Sequence, residues 1–306
     1  MCLALTLAML AGCGGVAPSA SQSSEWLNAA TSSGAQSRAP HDRQSHELLY
    51  LADEENNVYV YAYPQLTLEE TLTHLTPGGL CTDKSGNVFI SDFETKSVVE
   101  YAHGGTSPIA RLDDLGNRPT DCSVDPLTGN LAVVNAGMSG LSIYKQARGT
   151  PTIYTYHGFQ FYYCGYDNAG NLYVDGFGSR PGLLRLPSGS HTFVKMTLDR
   201  TIHWPGGVKW DGNNLAISDQ GLRGKNSVLY GFVIQGDGGR TVGSAPLSQS
   251  LEVPEFAIEG AAVIAPDTGR ESGNAFRIWR YPRGGTPLKT LSGFFQPIGA
   301  TISKAP

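Results

Sequence analysis

Charge is scarce in this chain of 306 residues. Only 16% of the residues are Asp, Glu, Lys or Arg, against roughly 25% in soluble domains, and the net charge is −5. The basic excess that binds nucleic acid is therefore missing. Gly and Pro are frequent enough to interrupt the helices of a long helical bundle, which excludes that class of fold. The glycines keep no three-residue period, which excludes collagen.

Glycine and apolar residues are abundant instead. The chain contains 38 Gly and 18 Pro, and 40% of its residues are hydrophobic. That apolar content is enough to bury a substantial core. The composition predicts an all-β globular protein whose strands are punctuated by glycine-containing turns.

The N-terminus predicts an export signal. Residues 1–12 are apolar and uncharged, and a run of this length is too short to cross a bilayer and is typical of a signal-peptide core. Leu10-Ala11-Gly12-Cys13 resembles the bacterial lipobox, although no Lys or Arg precedes it. The resemblance implies lipidation of Cys13 and a lipid anchor at the bacterial cell envelope. Because Gly14 replaces the aspartate that retains lipoproteins at the inner membrane, it further implies the outer membrane or the cell surface. The alternative is an ordinary secretory signal.

The next segment is predicted to be a tether. Residues 13–45 are rich in Ser, Ala, Gln and Gly and lack apolar periodicity, so they cannot bury enough surface to fold. The domain prediction is therefore a signal peptide at 1–12, a disordered tether at 13–45 and a folded domain at 46–306.

A repeat predicts the fold of that domain. Four copies share a short strand, a turn built on Asp, Gly and Asn, and a second alternating strand. The copies have their turn aspartates at Asp83, Asp125, Asp167 and Asp211. Equivalent residues of the third strands recur every 40 to 51 residues: Tyr61, Tyr101, Tyr144, Leu186, Tyr230 and Tyr281. This period is typical of four-stranded propeller blades.

The two ends of the domain complement each other. Segment 47–75 supplies three strands and lacks the inner one, and Pro297–Ile302 matches the missing strand. We therefore predict a six-bladed β-propeller whose first blade is closed by the C-terminal strand, which leaves no open sheet edge. The alternative is an unrelated β-sandwich.

The motif Pro77-Gly-Gly-Leu-Cys-Thr-Asp83, followed by Gly86-Asn87-Val-Phe-Ile-Ser-Asp92, resembles NHL-type repeats. The wider resemblance, over residues 47–306, is to NHL-repeat and gluconolactonase-like six-bladed propellers, which include lactonases, lyases and binding scaffolds.

The resemblance to gluconolactonase-like propellers implies a divalent metal in the central channel, held by Glu, Asn and Asp ligands. The six equivalent positions are Gly78, Thr120, Tyr162, Gly206, Glu255 and Ile298. Only Glu255 is a carboxylate. Asp121 lies one residue after Thr120, which occupies the equivalent position in its own copy of the repeat. Hard cations need several converging oxygens, so we predict neither a metal nor another cofactor.

Other polar residues allow two interpretations each. The aspartates that end the second strands either accept hydrogen bonds from loop amides or form a carboxylate ring for a cation. His157 and His203 precede inner strands, where either can serve as a general base or as a structural side chain. No Gly-x-Ser-x-Gly nucleophile motif is present.

Three cysteines fall in the repeats: Cys81, Cys122 and Cys164. Because packed sheets lie about 10 Å apart and a disulfide needs Cα atoms within about 7 Å, we predict three free buried thiols. A metal site with three thiolates is the alternative.

Aromatic residues near the inner strands are the best binding candidates. With nearby cationic residues, their rings can hold a sugar, an aromatic ring or an anionic peptide, although they can equally pack between blades. The candidates are Phe161, Tyr162, Tyr163, His203, Trp204, Phe295, Arg180 and Arg223.

These observations favour a non-catalytic propeller, anchored at the envelope, that binds a protein, peptide or glycan through its loop face. The alternative is a metal-dependent hydrolase or lyase of the gluconolactonase/NHL type that uses Glu255, Asp121 and His203. A scaffold subunit of an envelope complex is a third possibility. The predicted contacts are an unidentified protein, peptide or glycan, and a membrane through the N-terminal lipid, with no nucleic acid.

Overall fold

Six sheets, antiparallel except for one added strand in the fifth, form a ring, and each sheet is one blade of a β-propeller. The computed structural model describes residues 45–114, 117–136, 140–221, 225–268 and 274–306. The predicted signal peptide, Cys13, nearly all of the tether and Arg223 therefore lie outside the described residues.

Blades 1 to 3 occupy the first half of the domain. Their strands are β1 (Leu48–Asp53), β2 (Asn57–Ala62) and β3 (Thr67–Leu72) of blade 1; β4 (Pro77–Thr82), β5 (Val88–Asp92), β6 (Ser97–Tyr101) and β7 (Pro108–Asp113) of blade 2; and β8 (Pro119–Val124), β9 (Leu131–Asn135), β10 (Gly140–Tyr144) and β11 (Thr152–Thr155) of blade 3.

Blades 4 to 6 follow, and the final strand returns to blade 1. The strands are β12 (Gln160–Tyr166), β13 (Leu172–Phe177), β14 (Pro181–Leu186) and β15 (Val194–Lys195) of blade 4; β16 (Thr197–Leu198), β17 (Pro205–Trp210), β18 (Leu215–Asp219), β19 (Val228–Gln235) and β20 (Gly238–Pro246) of blade 5; β21 (Ala257–Glu259), β22 (Ala262–Asp267), β23 (Ala275–Arg280) and β24 (Lys289–Ser292) of blade 6; and β25 (Pro297–Ser303).

The C-terminal strand closes blade 1, as predicted. The strand order there is β25-β1-β2-β3, and β25 pairs antiparallel with β1 so that Leu48 lies opposite Ser303. The six-bladed architecture predicted from the repeat is confirmed. Blade 5 differs from the others because β16 adds a fifth strand, parallel to β20.

The repeated aspartates form the turns. The side chain of Asp83 accepts hydrogen bonds from the backbone amides of Ser85 and Asn87, both at 2.8 Å. Between them Gly86 has φ of 79°, a conformation that suits glycine. The side chain of Asp167 makes the same kind of bonds in its own turn. Each hairpin is therefore held by its own aspartate.

The aspartates at the ends of the second strands hold the loops that lead into the inner strands. Asp219 accepts hydrogen bonds from the amides of His203 and Trp204, at 3.0 and 3.1 Å. Asp53 accepts one from the amide of Phe295, at 3.3 Å. These bonds agree with the structural interpretation of this ring of acids.

The inner strands of neighbouring blades come very close together near the ring axis. A Cβ atom on Gly79 would lie 2.9 Å from the Cα of Asp121, and one on Gly165 would collide with the carbonyl oxygen of Val208. Glycine is therefore required here because backbone faces backbone.

This close approach overturns the prediction of three free thiols. Cys81 on β4 and Cys122 on β8 form a disulfide, with their Cα atoms 5.7 Å apart. The 10 Å spacing describes the middle of packed sheets, whereas the blades converge at their inner strands. Cys81 lies one residue nearer its turn aspartate than Cys122 does, and this offset turns the two side chains toward each other. Cys164 is free and buried, so the three-thiolate alternative is excluded as well.

The core lies between neighbouring blades. Tyr50 and Val60 of blade 1 pack with Ile90 and Val99 of blade 2, and the other described interfaces between blades contain similar apolar clusters. Because strand residues are buried on both faces of a blade, few positions remain for charge.

In the part of the chain that the structure describes, no helix is long and apolar enough to cross a membrane.

Candidate functional site

The loops that lead into the inner strands surround one end of the channel, which we call the upper mouth. A cavity of about 530 Å³ lies there. Five of the six positions at which the family resemblance implies metal ligands line it: Gly78, Thr120, Tyr162, Glu255 and Ile298. These positions therefore lie around one cavity, although most of their side chains cannot bind a metal.

An aromatic ridge lies beside the upper mouth and consists of Tyr162, Phe177 and Trp204. The ring centroids of Tyr162 and Phe177 are 5.4 Å apart, and those of Phe177 and Trp204 are 5.3 Å apart. Trp204 is 39% exposed, which is unusual for so large an apolar side chain. Phe93 lines the cavity, and the guanidinium of the exposed Arg118 lies 4.2 Å from its ring centroid. The surroundings of the upper mouth therefore include one exposed ring, several half-buried rings and a cation.

The other aromatic candidates lie elsewhere. Phe161 touches the cavity but is 1% exposed, and its ring packs against Phe159 and Phe193 between blades 3 and 4. Tyr163 also lines the cavity, and burial raises the pKa of its phenol well above the usual value. Phe295 is 49% exposed but is not part of the cavity wall.

The polar candidates are also dispersed. The His203 imidazole is exposed, and its Nδ1 lies 3.1 Å from a carboxylate oxygen of Asp219. Arg180 lines a different cavity, between blades 4 and 5. His157 is exposed. The upper-mouth cavity contains Glu255 but neither His203 nor Asp121 in its wall.

A buried cluster of Asp121, Lys209 and Glu255 lies inside the channel, and we call it the acid–lysine cluster. The Lys209 ammonium lies 2.7 Å from Glu255 Oε1 and 4.0 Å from Asp121 Oδ1. Asp121 Oδ2 accepts a hydrogen bond of 2.8 Å from the amide of Cys164. The side chains of Asp121 and Glu255 are 0% and 2% exposed. Asp121 and Glu255, which occupy non-equivalent positions in the sequence, thus both lie close to Lys209 in one cluster.

The acid–lysine cluster contains one protonated carboxyl group. The pKa of Glu255 is raised to about 8, mainly by burial and also by the charge of Asp121, against the opposing effect of Lys209. Burial also raises the pKa of Asp121, again against the effect of Lys209. Glu255 Oε2 and Asp121 Oδ1 are both buried without a hydrogen-bond partner. A proton on Glu255, shared with Asp121, gives both oxygens a partner and leaves one negative charge opposite the ammonium.

The acid–lysine cluster does not fit a divalent metal. Although burial lowers the pKa of Lys209, attraction to the two acids outweighs it and raises that pKa overall. Lys209 therefore remains an ammonium and already balances the charge that a metal would balance. Among the described residues, no group of three His, Cys, Asp or Glu side chains is placed to hold a metal ion.

The sequence analysis missed Lys209. It lies two residues before the turn aspartate Asp211, where the other copies of the repeat have Cys81, Ser123 and Gly165. A lysine at a buried position of an inner strand was the available signal, because such a group needs an acidic partner.

The cluster predicts a pH dependence of stability. Glu255 has a raised pKa of about 8 in the folded protein, against an ordinary value of 4.5, so the folded state binds its proton more tightly. Its stabilising contribution is full below about pH 4.5 and is lost as the pH rises through about 8. We therefore expect Glu255→Gln to become more stable relative to the natural chain between pH 5 and pH 9, measured by urea unfolding.

The control for this experiment is Glu94→Gln, because Glu94 is exposed. Its stability relative to the natural chain should be independent of pH over the same range. Equal pH slopes for Glu255→Gln and the natural chain would contradict the shared proton.

Comparison with known proteins supports the fold alone. No protein-family model matches the chain, and no curated protein matches it. Among solved structures, the chain is similar to one in a crystal structure of a nidogen/laminin complex. The TM-score is 0.66 at 14% sequence identity, and the alignment covers 85% of this chain and 99% of that one.

Proposed function

We propose that this protein is a non-catalytic binding propeller, held at the bacterial cell envelope by a lipid on Cys13, that binds a protein, peptide or glycan at its upper mouth. The observation that carries the proposal is the open cavity of about 530 Å³ bordered by the aromatic ridge. Exposed rings stack on sugar faces and on apolar side chains with little loss of conformational entropy.

The chemistry of the channel supports binding rather than catalysis. The catalytic alternative needs Glu255, Asp121 and His203 to act together. Glu255 and Asp121 instead share one proton and face the Lys209 ammonium, and the His203 imidazole bonds to Asp219. The proposed role is therefore recognition.

Two observations support the location and the partner class. A disulfide between Cys81 and Cys122 suits an oxidising compartment outside the cytosol, as export through the predicted signal requires. The similar solved chain comes from a complex named for two proteins, nidogen and laminin, which favours a protein partner among the three classes.

The binding proposal makes a direct prediction. The full chain is applied to a glycan array and a peptide library, and the affinity of the strongest hit is then measured for variants. Trp204→Ala should weaken binding at least about 10-fold, because exposed aromatic anchors carry a large share of interface energy. Tyr162→Ala should weaken it in the same direction.

Ile109→Ala is the matched control. Ile109 is 56% exposed on the outer strand β7, so its loss should change the affinity less than twofold. Equal effects of Trp204→Ala and Ile109→Ala, or no hit on either library, would contradict the proposal.

A further inference from the structure

A second cavity, of about 250 Å³, lies between blades 4 and 5, and we call it the interblade cavity. The chain crosses from one blade to the next beside it. On the blade 4 side, β15 pairs with β14, and one residue later β16 pairs parallel with β20 of blade 5. Lys195, Met196 and Leu198 of this crossing line the cavity.

The wall of the interblade cavity is apolar where it is buried. Leu183, Met196 and Ile202 form this apolar wall and are 2%, 5% and 8% exposed. They belong to the hydrophobic cluster that joins blades 4 and 5. The interior therefore favours a hydrocarbon or an aromatic group.

The exposed part of the same wall is cationic. Arg180, Lys195 and Arg200 are exposed and line the cavity, and we call them the cationic rim. Within the described part of the chain, none of the three forms an ion pair with an acid. Three cations surround one opening, in a chain of net charge −5, and Asp199 interacts with Arg200 among them. Their excess positive charge creates a local field that attracts an anion.

One residue of the cationic rim, Arg200, is held in position before any ligand arrives. The guanidinium of Arg200 lies 4.7 Å from the ring centroid of Tyr230. Asp199, beside it, accepts hydrogen bonds from the amide of Thr241, at 2.9 and 3.0 Å, and a further one from its hydroxyl. Binding therefore requires little ordering of this segment, which preserves affinity.

A buried carboxyl group forms another part of the wall. Asp175 is 2% exposed and lines the interblade cavity. Its Oδ1 accepts a 3.0 Å hydrogen bond from the amide of Tyr163, and its Oδ2 has no partner. Burial raises the pKa of Asp175 well above the usual value, which favours the uncharged form and so reduces repulsion of an anion.

We propose that the interblade cavity binds a small amphiphilic carboxylate, with its charged group at the cationic rim and its apolar body against the apolar wall. The volume is below the roughly 300–1,000 Å³ of pockets for drug-sized ligands, so the ligand is a short acyl or arene acid rather than a peptide. This site is independent of the upper mouth, and its failure would leave the proposed function untouched.

Octanoate is the probe, and titration calorimetry on the full chain is the measurement. Octanoate should bind saturably with Kd below about 1 mM. Acetate lacks the chain and 1-octanol lacks the charge, so each should bind at least about 10-fold more weakly. Acetate buries no alkyl chain against the apolar wall, and 1-octanol forms no charge-assisted hydrogen bond with the cationic rim.

The matched variants test the rim. Arg180→Gln combined with Arg200→Gln should weaken octanoate binding at least about 10-fold, whereas Arg240→Gln, which changes an exposed arginine of β20, should change it less than twofold. The Met196 methyl group serves as an NMR probe for where octanoate binds, because the chain has only 4 Met. Its NMR signal, assigned with Met196→Leu, should shift on octanoate addition.

Absence of saturable binding at about 5 mM octanoate would overturn the proposal. Equal binding of 1-octanol, an unchanged affinity in the double arginine variant, or a Met196 signal that does not move would each overturn it as well.

Discussion

Replacing Lys209 by Met is expected to lower the free energy of unfolding by about 3–5 kcal/mol at pH 7, the usual cost of breaking a buried ion pair from one side. Lys209 Nζ lies 2.7 Å from Glu255 Oε1, and the acids around it are almost fully buried. Methionine keeps an unbranched apolar chain but removes the only cation within 4.0 Å of these acids in the described structure. The remaining negative charge then has neither solvent nor a counterion.

The prediction is checked by urea unfolding with two comparisons. Lys304→Met removes an ammonium that lies 2.8 Å from Glu259 but is 60% exposed, and it should cost about 0–1 kcal/mol, as surface pairs do. Adding Asp121→Asn and Glu255→Gln to Lys209→Met should recover most of the loss, because the cluster is then uncharged. A Lys209→Met cost no larger than that of Lys304→Met would show that the acid–lysine cluster contributes no more than a surface pair.

Removing the disulfide is expected to have a comparable effect. Cys81 and Cys122 are 41 residues apart in sequence, and closing a loop of that length stabilises the folded state by about 4 kcal/mol in the chain-entropy model. Cys81→Ala combined with Cys122→Ala should lower the free energy of unfolding by roughly this amount. Adding dithiothreitol should produce a similar loss in the natural chain and none in the double variant.

Cys164→Ala is the control for that experiment. Cys164 is buried and free, so its replacement should cost about 1 kcal/mol, a typical value for a point mutation, and should leave the response to dithiothreitol unchanged. Mass spectrometry of the unreduced protein should identify one peptide pair that links Cys81 to Cys122 and a free thiol at Cys164. Free thiols at both Cys81 and Cys122 would contradict the disulfide.

The fold could be predicted from the sequence because its signals are local and repeated. The turn aspartates, such as Asp83, bond to amides only two to four residues away, so each copy of the motif specifies its own hairpin. The C-terminal strand was predicted because Pro297–Ile302 resembles the start of the other copies.

The candidate site was predicted less completely because it depends on distances between blades. A repeat gives the position of each residue within its own blade, but the convergence of the inner strands is a property of the closed ring. The disulfide and the meeting of Asp121, Lys209 and Glu255 depend on that convergence. The crossing at Met196 was missed for a similar reason, since β15 and β16 are two residues each and are too short for a periodic pattern.

The closure of blade 1 has a consequence for the order in which the protein can assemble. The paired residues Leu48 and Ser303 lie near opposite ends of the described chain, so β1 has no inner neighbour until β25 has been synthesised. A nascent chain on the ribosome is thus an unclosed arc with an exposed strand edge, even when its first blades have already formed. The ring therefore closes only after β25 is available to pair with β1.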